Sequence, residues 1–305
     1  MKIYNYISIL SFCILLNLAA TAQQINLSQN SHFNILNENI AFAGNYNATH
    51  FSANYSKLWN ITGAPESFNF SAHTPFKKRK LGMGIMANRT TIGAHEEVNI
   101  KGVFAYKLLL SKGKRISLGL SGGFRQYNFK SSDLIVLDLD NETYNFTGLN
   151  STVLNVDFGA IYTDNKNYFG IEVNQITSSD WNLNSTDKSK QVPHFKLVAG
   201  HVFPLKNKDF IRVSAHARTD INFQIQSDVL ASYFYQNKIW IGGGVRTNYG
   251  LLAQLEINIS KRLHIGYIAG IPLSSSVTNF SQSHSIFLGY MLPSNKTKAP
   301  SLRQY

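Results

Sequence analysis

Polar and apolar residues alternate along most of this chain. From Leu154 the order is Leu-Asn-Val-Asp-Phe-Gly-Ala-Ile-Tyr. Leu154, Val156, Phe158, Ala160 and Tyr162 therefore share one face, and Asn155, Asp157, Gly159 and Ile161 the other. Ile116, Leu118 and Leu120 alternate with Ser117, Gly119 and Ser121. Ile239, Ile241 and Val245 alternate with Trp240, Gly242, Gly244 and Arg246. Leu255, Ile257 and Ile259 alternate with Gln254, Glu256 and Asn258. A period of two marks β-strands with one apolar and one polar face. No helical period follows the first twenty-odd residues. The alternation predicts strands near 49–58, 66–74, 80–90, 97–109, 114–128, 151–163, 167–174, 194–204, 208–218, 227–236, 238–248, 250–259, 263–271 and 283–292. That makes about 14, many of them near the 9–11 residues a tilted strand needs to cross a bilayer.

The gaps sharpen the picture. Every second gap is short: 75–79, 110–113, 164–166, 205–207, Asn237 alone and 260–262. The intervening set contains long ones, 129–150, 175–193 and 272–282. Short turns alternating with long loops are the plan of an outer-membrane β-barrel, with turns in the periplasm and loops outside. The fold class expected is thus all-β, an antiparallel transmembrane β-barrel of about 14 strands with both termini periplasmic.

The first residues read as a targeting segment. Lys2 precedes an apolar stretch from Ile7 to Leu18, and Ala20-Thr21-Ala22 forms an A-x-A cleavage site. The stretch is too short to span a membrane, so 1–22 is expected to be a signal peptide. The remaining divisions are a periplasmic N-terminal segment over 23–48, the barrel over 49–292 and a periplasmic tail over 293–305. No later run of apolar residues is long enough for a membrane helix.

Composition supports the barrel and excludes other classes. Of 305 residues, 44% are hydrophobic and 15% charged, well below the roughly 25% charge of ordinary chains. The one cysteine, Cys13, lies in the expected signal peptide, so a disulfide framework or a cysteine-based metal site is excluded. Lys+Arg exceeds Asp+Glu by 29 to 17, a net +12. The excess basic residues gather at the short turns, most densely at Lys77, Lys78, Arg79 and Lys80, beside Phe76. Such turns suit anionic lipid headgroups, or an acidic periplasmic partner. Nucleic acid is not an expected partner, because an exported chain does not meet it and the basic residues lack interleaved aromatic platforms. His95-Glu96-Glu97 is the densest set of metal-ligating types and reads as a hydrated loop. Ser214, His216, Asp220 and Asp228 have no spacing that lifts them to a catalytic constellation. No enzyme activity, cofactor or metal is expected. If the apolar face meets lipid, Arg125, Glu172, Lys196, Arg212, Arg218, Arg246 and Glu256 point into the lumen. There they would fill the barrel with internal ion pairs or line an anion-favouring channel.

Several local patterns coincide with one family. Asn39-Ile-Ala-Phe-Ala-Gly44 resembles the N-P-A-Y-A-G segment near the start of mature PorP/SprF-type outer-membrane proteins. Trp59-Asn-Ile-Thr-Gly-Ala-Pro-Glu-Ser67 resembles their W-x(2–3)-G-A-P-x-[ST] segment. Leu81-Gly-Met-Gly84, Phe104-Ala-Tyr-Lys-Leu108 and Ile116-Ser-Leu-Gly-Leu120 resemble their L-G, Y-A-Y-x-L and L-S-x-G-L strands. His264-Ile-Gly-Tyr267 and His284-Ser-Ile-Phe-Leu-Gly-Tyr290 resemble their I-G-Y-S-Y and H-E-I-x-L-x-Y strands. Ile40 stands in place of the family's Pro and Ser285 in place of its Glu. The resemblance implies a barrel of the type IX secretion and gliding machinery of Bacteroidetes. Its role would be to support export or surface attachment of a secreted protein such as an adhesin. It implies periplasmic and outer-membrane machinery proteins, a secreted client and membrane lipid as partners. A passive porin or hydrophobic-solute transporter is the alternative. Trp59, Gly63, Ala64 and Pro65 are candidate outer-rim contacts, with a plain tight turn as the other reading of Gly63-Ala64-Pro65. Phe76 with Lys77, Lys78, Arg79 and Lys80 is the candidate docking turn.

Overall fold

Backbone N–H and C=O groups in lipid find no water, so a membrane sheet must close on itself. The computed structural model closes in this way. It describes residues 33–46, 48–76, 80–130, 149–182, 188–205, 207, 209–221, 225–236, 238–273 and 282–293. The expected signal peptide, most of the expected tail, and Lys77, Lys78 and Arg79 lie outside the described residues.

Seven strands make the first half of the wall: β1 (Ala48–Lys57), β2 (Glu66–Phe76), β3 (Leu81–Ile92), β4 (His95–Leu109), β5 (Arg115–Phe129), β6 (Leu149–Thr163) and β7 (Asn167–Asn174). A short separate hairpin follows, β8 (Asp180–Asn182) with β9 (Lys188–Lys190). The second half is β10 (His194–Pro204), β11 (Phe210–Asp220), β12 (Gln226–Tyr235), β13 (Ile239–Arg246), β14 (Gly250–Asn258), β15 (Leu263–Pro272) and β16 (Ser283–Pro293). Each wall strand pairs antiparallel with its neighbours, and β1 closes onto β16 from Ala48↔Pro293 to Lys57↔His284. The fourteen wall strands coincide with the alternating segments of the sequence.

The faces follow the alternation. Phe51, Tyr55, Phe104, Leu118, Leu120, Phe124 and Ile257 are exposed on the outside. Ser117, Ser121, Asp157, Glu172, Arg212, Arg218, Arg246 and Glu256 are buried on the inside. The strand ends that flank the short gaps gather at one end of the barrel, and those that flank the long gaps at the other. At the short-turn end, the link between β6 and β7 is built around Asp164. Its carboxylate accepts from the backbone N–H of Lys166 and of Asn167, each at 2.7 Å. Burial pulls the Asp164 pKa up, but these hydrogen bonds outweigh it and hold the group at about 2.

One part of the expected organisation changes. The sequence reading hangs 23–48 below the barrel. Residues 33–46 instead fold into the lumen as two single-turn 3₁₀ helices, η1 (Ile35–Asn37) and η2 (Ile40–Phe42). The physical reason is girth. An eight-stranded barrel is filled by its own side chains, whereas fourteen strands enclose more space than theirs can occupy. Phe33, Leu36, Ile40, Ala41 and Phe42 take up that space and are buried.

The lipid band gives a graded test. Leu120 is five residues into β5, and at about 3.3 Å per residue with a tilt near 40° it lies about 13 Å from the turn, mid-bilayer. Ile257 is one residue from the end of β14. Leu120→Arg should therefore cost about 2–4 kcal/mol and Ile257→Arg about 0–1 kcal/mol. Urea-dependent folding into lipid vesicles measures both. Equal losses would contradict the assigned face and depth.

Candidate functional site

The feature that most constrains function is this N-terminal plug and the bed that receives it. The plug is capped by its own asparagines. Asn34 Oδ1 accepts from Leu36 N–H and Asn39 Oδ1 from Ala41 N–H, satisfying donors at the start of each 3₁₀ turn. Other polar groups of the plug reach the wall. Asn34 Nδ2 donates to Ser52 Oγ at 2.6 Å and Ser71 Oγ at 2.9 Å. Asn39 Nδ2 donates to the carbonyls of Ala160 at 3.1 Å and Ile171 at 2.8 Å, bridging β6 and β7. Ile40 N–H donates to Glu172 at 2.5 Å. Gly44 N–H donates to His73 Nδ1 at 2.8 Å, and Lys107 Nζ donates to the Gly44 carbonyl.

Glu38 is the only charge in the plug, and it is 2% exposed. The guanidinium of Arg218 grips it with two hydrogen bonds, Nε at 3.2 Å and Nη2 at 2.6 Å. His216 Nδ1 lies 3.7 Å from it, and Lys196 Nζ donates to the adjacent Asn37 carbonyl at 3.0 Å. A buried carboxylate is tolerated only in such company.

Glycines on the inner face make the bed. A Cβ on Gly82 would sit 1.9 Å from the Ala43 carbonyl oxygen, and one on Gly119 would sit 2.6 Å from Ala41 Cα. Cβ atoms on Gly159 and Gly170 would press on the Asn39 carboxamide at 2.9 and 2.7 Å. One on Gly266 would meet the Phe33 ring at 2.6 Å. Gly44 turns the plug out towards β1 with φ +65°, and its backbone lies against Gly82. The small residues of Asn39-Ile-Ala-Phe-Ala-Gly44 and the glycines of the strand motifs are thus two halves of one contact. Ile35, Ala41 and Phe42 pack with Ile161, Tyr168 and Val198, while Leu36, Ile40 and Ala43 pack with Val103 and Ala105.

Several of the inward charges are paired in place. Lys101 meets Asp157 at 2.5 Å, Arg125 meets Glu97 at 2.5 Å, Lys196 meets Glu172 at 3.4 Å and Arg246 meets Asp228 at 2.6 Å. Ser214, His216, Asp220 and Asp228 are all buried on the lumen side of β11 and β12. Two of them are engaged in holding charge: His216 beside Glu38 and Asp228 beneath Arg246. His95, Glu96 and Glu97 open β4 rather than forming a loop. Glu96 binds Arg89 and Lys130, both at 2.6 Å. Among the described residues, no group of three His, Cys, Asp or Glu side chains is placed to hold a metal ion.

The rim candidates are brought together with a second turn. Gly63 (φ +75°) and Gly93 (φ +55°) both adopt left-handed backbone, and Gly93 N–H donates to the Gly63 carbonyl at 3.0 Å. Leu58 N–H closes the loop onto the Pro65 carbonyl at 2.9 Å, and Ala64 is buried beneath it. Trp59 is half-buried at the start of this loop and Pro65 half-buried at its end. At the opposite end, Phe76 is 46% exposed on the lipid-facing side and Lys80 is exposed.

The family model described as "Type IX secretion system membrane protein PorP/SprF" matches residues 19–290. The chain belongs to the PorP/SprF family. It is therefore a membrane barrel of the type IX secretion machinery, a family of secretion components rather than of enzymes. No curated protein matches the sequence. The solved structure of CymD, a monoaromatic hydrocarbon channel, has 11% identity to this PorP/SprF chain. It has a TM-score of 0.51 and covers 90% of this chain and 95% of its own. Omp33, an outer membrane protein of Acinetobacter baumannii, has 9% identity and a TM-score of 0.47, covering 81% and 98%. A TodX deltaS2S3 mutant monoaromatic hydrocarbon channel has 11% identity and a TM-score of 0.47, covering 84% and 92%. The likeness to CymD shows the barrel fold alone.

The plug is what sequence reasoning missed in this PorP/SprF chain. Its signal was the run of glycines at inward positions 82, 119, 159, 170 and 266, where a water-filled lumen would not call for the smallest residue.

Two kinds of change should unseat the plug. Gly119→Val puts side-chain atoms where the Ala41 backbone lies. Arg218→Ala strands a buried Glu38 and should cost plug seating about 3–5 kcal/mol, which Glu38→Gln should partly restore. The readout is a Leu36→Cys reporter, since Leu36 is 0% exposed. A membrane-impermeant maleimide should label Cys at 36 in the Gly119→Val and Arg218→Ala backgrounds and spare it otherwise. Labelling of the parent at the same rate would mean that the plug is not seated.

Proposed function

We propose that this protein serves export or surface attachment of a secreted protein as a closed outer-membrane component of the type IX machinery, and is not a passive porin. The observation that carries this reading is the filled lumen. Residues 33–46 pack wall to wall at the short-turn end and centre of the barrel, and they are anchored to β1, β2, β4, β6, β7, β10 and β11. A porin needs a continuous wet path. A secretion component needs a wall, a rim and a foot for partners.

In this reading the signal peptide is removed after Ala22, both termini are periplasmic, and the short basic turns face the periplasm. The turn at Phe76 to Lys80 is the foot. Four consecutive basic residues beside an exposed aromatic ring supply charge and an apolar anchor, and interface energy concentrates in a few such residues. The Trp59 and Gly63-Ala64-Pro65 loop, stiffened by its clasp on Gly93, is the rim contact.

Two measurements test this. In a planar bilayer the purified protein should show no large steady conductance, whereas deletion of residues 33–46 should open one. Porin-like currents from the intact protein would overturn the closed-component reading. Reversal of Lys77, Lys78, Arg79 and Lys80 to Glu should leave heat-modifiable gel migration intact and block surface appearance of the client. The same reversal at Lys206 and Lys208 should do less. Normal export from a correctly folded reversal variant would return those charges to lipid binding.

A further inference from the structure

The wall has one step. β6 pairs with β5 along its whole length, from Leu149↔Phe129 to Thr163↔Arg115. Its ladder with β7 covers only Phe158↔Val173 to Thr163↔Tyr168, so residues 149–157 overrun it. No other described wall strand overruns a neighbour's ladder by more than three residues. Over the lower part of the overrun, the chain that leaves β7 stands in for a strand. Ile176 N–H donates to the Val156 carbonyl at 2.9 Å. The hydroxyls of Thr177 and Ser179 donate to the Leu154 carbonyl at 2.9 and 3.3 Å. Above Leu154 that cover ends. In an antiparallel pair, alternate residues turn their peptide groups to opposite sides. Leu154 and Val156 turn theirs away from β5, so Thr152 and Asn150 do the same. Among the described residues no group bonds the backbone N–H or C=O of either. The β8–β9 hairpin pairs only with itself, and its Trp181 ring lies on the lumen side, against Tyr127 and Arg125.

This edge stands beyond the lipid band, at the long-loop end. Outward positions change from Phe124 to Gln126 and Asn128 along β5, and from Leu154 to Thr152 and Asn150 along β6. At about 3.3 Å per residue and a tilt near 40°, Thr152 lies about 28 Å above the short turn, past an apolar band about 25 Å tall. Exposed strand edges are normally guarded by Lys, Pro, a bulge or an inward charge. From Leu149 to Leu154 the sequence Leu-Asn-Ser-Thr-Val-Leu has no such residue, and its register with β5 is unbroken.

We propose that the free edge of β6 takes up an extended segment of the exported client as an added antiparallel strand. The identity of that partner rests on the export reading above, which puts the long-loop end outside the cell. Strand addition draws affinity from main-chain groups and selection from alternate side chains. Asn150 and Thr152 on the outer face are polar and uncharged, and Val153 on the inner face is apolar. They suit a segment that alternates Thr, Ser or Asn with Val or Ile. On the same raised wall, Arg89 and Lys130 share the one carboxylate of Glu96, each at 2.6 Å. That leaves a net positive charge, which favours acidic residues at the segment's end. A second copy is the poorer occupant. Two barrels in one membrane point the same way, so their β6 edges could meet only in parallel, the less stable ladder.

The probe is a soluble peptide, Asp-Asp-Thr-Val-Thr-Val-Asn-Val-Thr, added to the full mature protein in detergent. Amide hydrogen exchange is followed by NMR over residues 150–153. In the protein alone, the amides of Asn150 and Thr152 should exchange at least about tenfold faster than those of Ser151 and Val153, which bond β5. The peptide should slow the first pair saturably. Of two versions N-methylated at alternate residues, one should protect as the parent does and the other not at all, because only one edge of the added strand faces β6. Thr152→Pro deletes an edge donor, and Thr152→Lys guards the edge without changing the backbone. Each should weaken the peptide at least about tenfold, about 1.4 kcal/mol. Should Thr152→Pro not fold, as judged by heat-modifiable migration, Thr152→Lys and the methylated peptides decide. Slow exchange at Asn150 and Thr152 in the protein alone would mean that its own chain or a second copy covers the edge, and would overturn the proposal. Equal protection by both methylated peptides would overturn it too, as would undiminished binding to Thr152→Lys. Bilayer conductance reads the export role separately. Porin-like currents beside a peptide-protected edge would remove the client as partner, whereas a closed barrel with an inert edge would overturn this proposal alone.

Discussion

Peptide groups in hydrocarbon have no partner but one another, and the pairing of β1 with β16 is what lets every strand of this chain meet that demand. Closure has a consequence that lipid does not dictate. Fourteen strands enclose a lumen too wide for the wall's side chains to fill, and a lumen must be wet, plugged or collapsed. This chain plugs it, with a segment placed directly before the first strand. The inner face is therefore not designed for water. It carries glycine where backbone must touch backbone and serine where Asn34 needs acceptors. Paired charge appears where a polar wall must stay dry.

That division explains why so many ionisable groups can be buried in one barrel. Lys101 with Asp157, Arg246 with Asp228 and Arg218 with Glu38 are each a short-range pair with added hydrogen bonds; Ser121 Oγ and Gln175 N–H, for instance, also donate to Asp157. Such pairs contribute little net stability compared with apolar packing, but they penalise misplacement heavily. A plug with one carboxylate at Glu38 has one register in which that carboxylate is satisfied. The apolar clusters on either side supply the packing, and the ion pair supplies the alignment.

The wall was legible in the sequence because period two is written residue by residue, and a bilayer makes both faces informative. The ends of β7 and β10 could be read to the residue from the alternation that stops at Asn174 and resumes at His194. The plug was not legible in that way. Residues 33–46 carry no period, and their two helices are single turns. Their decisive contacts span 121, 132 and 180 positions of sequence, from Asn39 to β6 and β7 and from Glu38 to Arg218. The family motifs were visible, but as separate words. Nothing in Asn39 to Gly44 announces that its Ala41 rests on Gly119. The β8–β9 hairpin escaped for a simpler reason: three-residue strands hold too little pattern to stand out.

The distance from Glu38 to Arg218 also bears on timing. Only Asn47 stands between Tyr46 and β1, so the plug is made first and waits close to the seam strand. Its socket includes β11, whose Arg218 is made 180 residues after Glu38. A partial wall ending before β11 offers the stopper Ser52, Ser71 and Lys107 but not Arg218, the group that takes its carboxylate. A barrel that sealed its seam early would have to thread the stopper through its short-turn mouth. Seating of this one carboxylate is therefore a late event in assembly, and it records that the wall around it has been built.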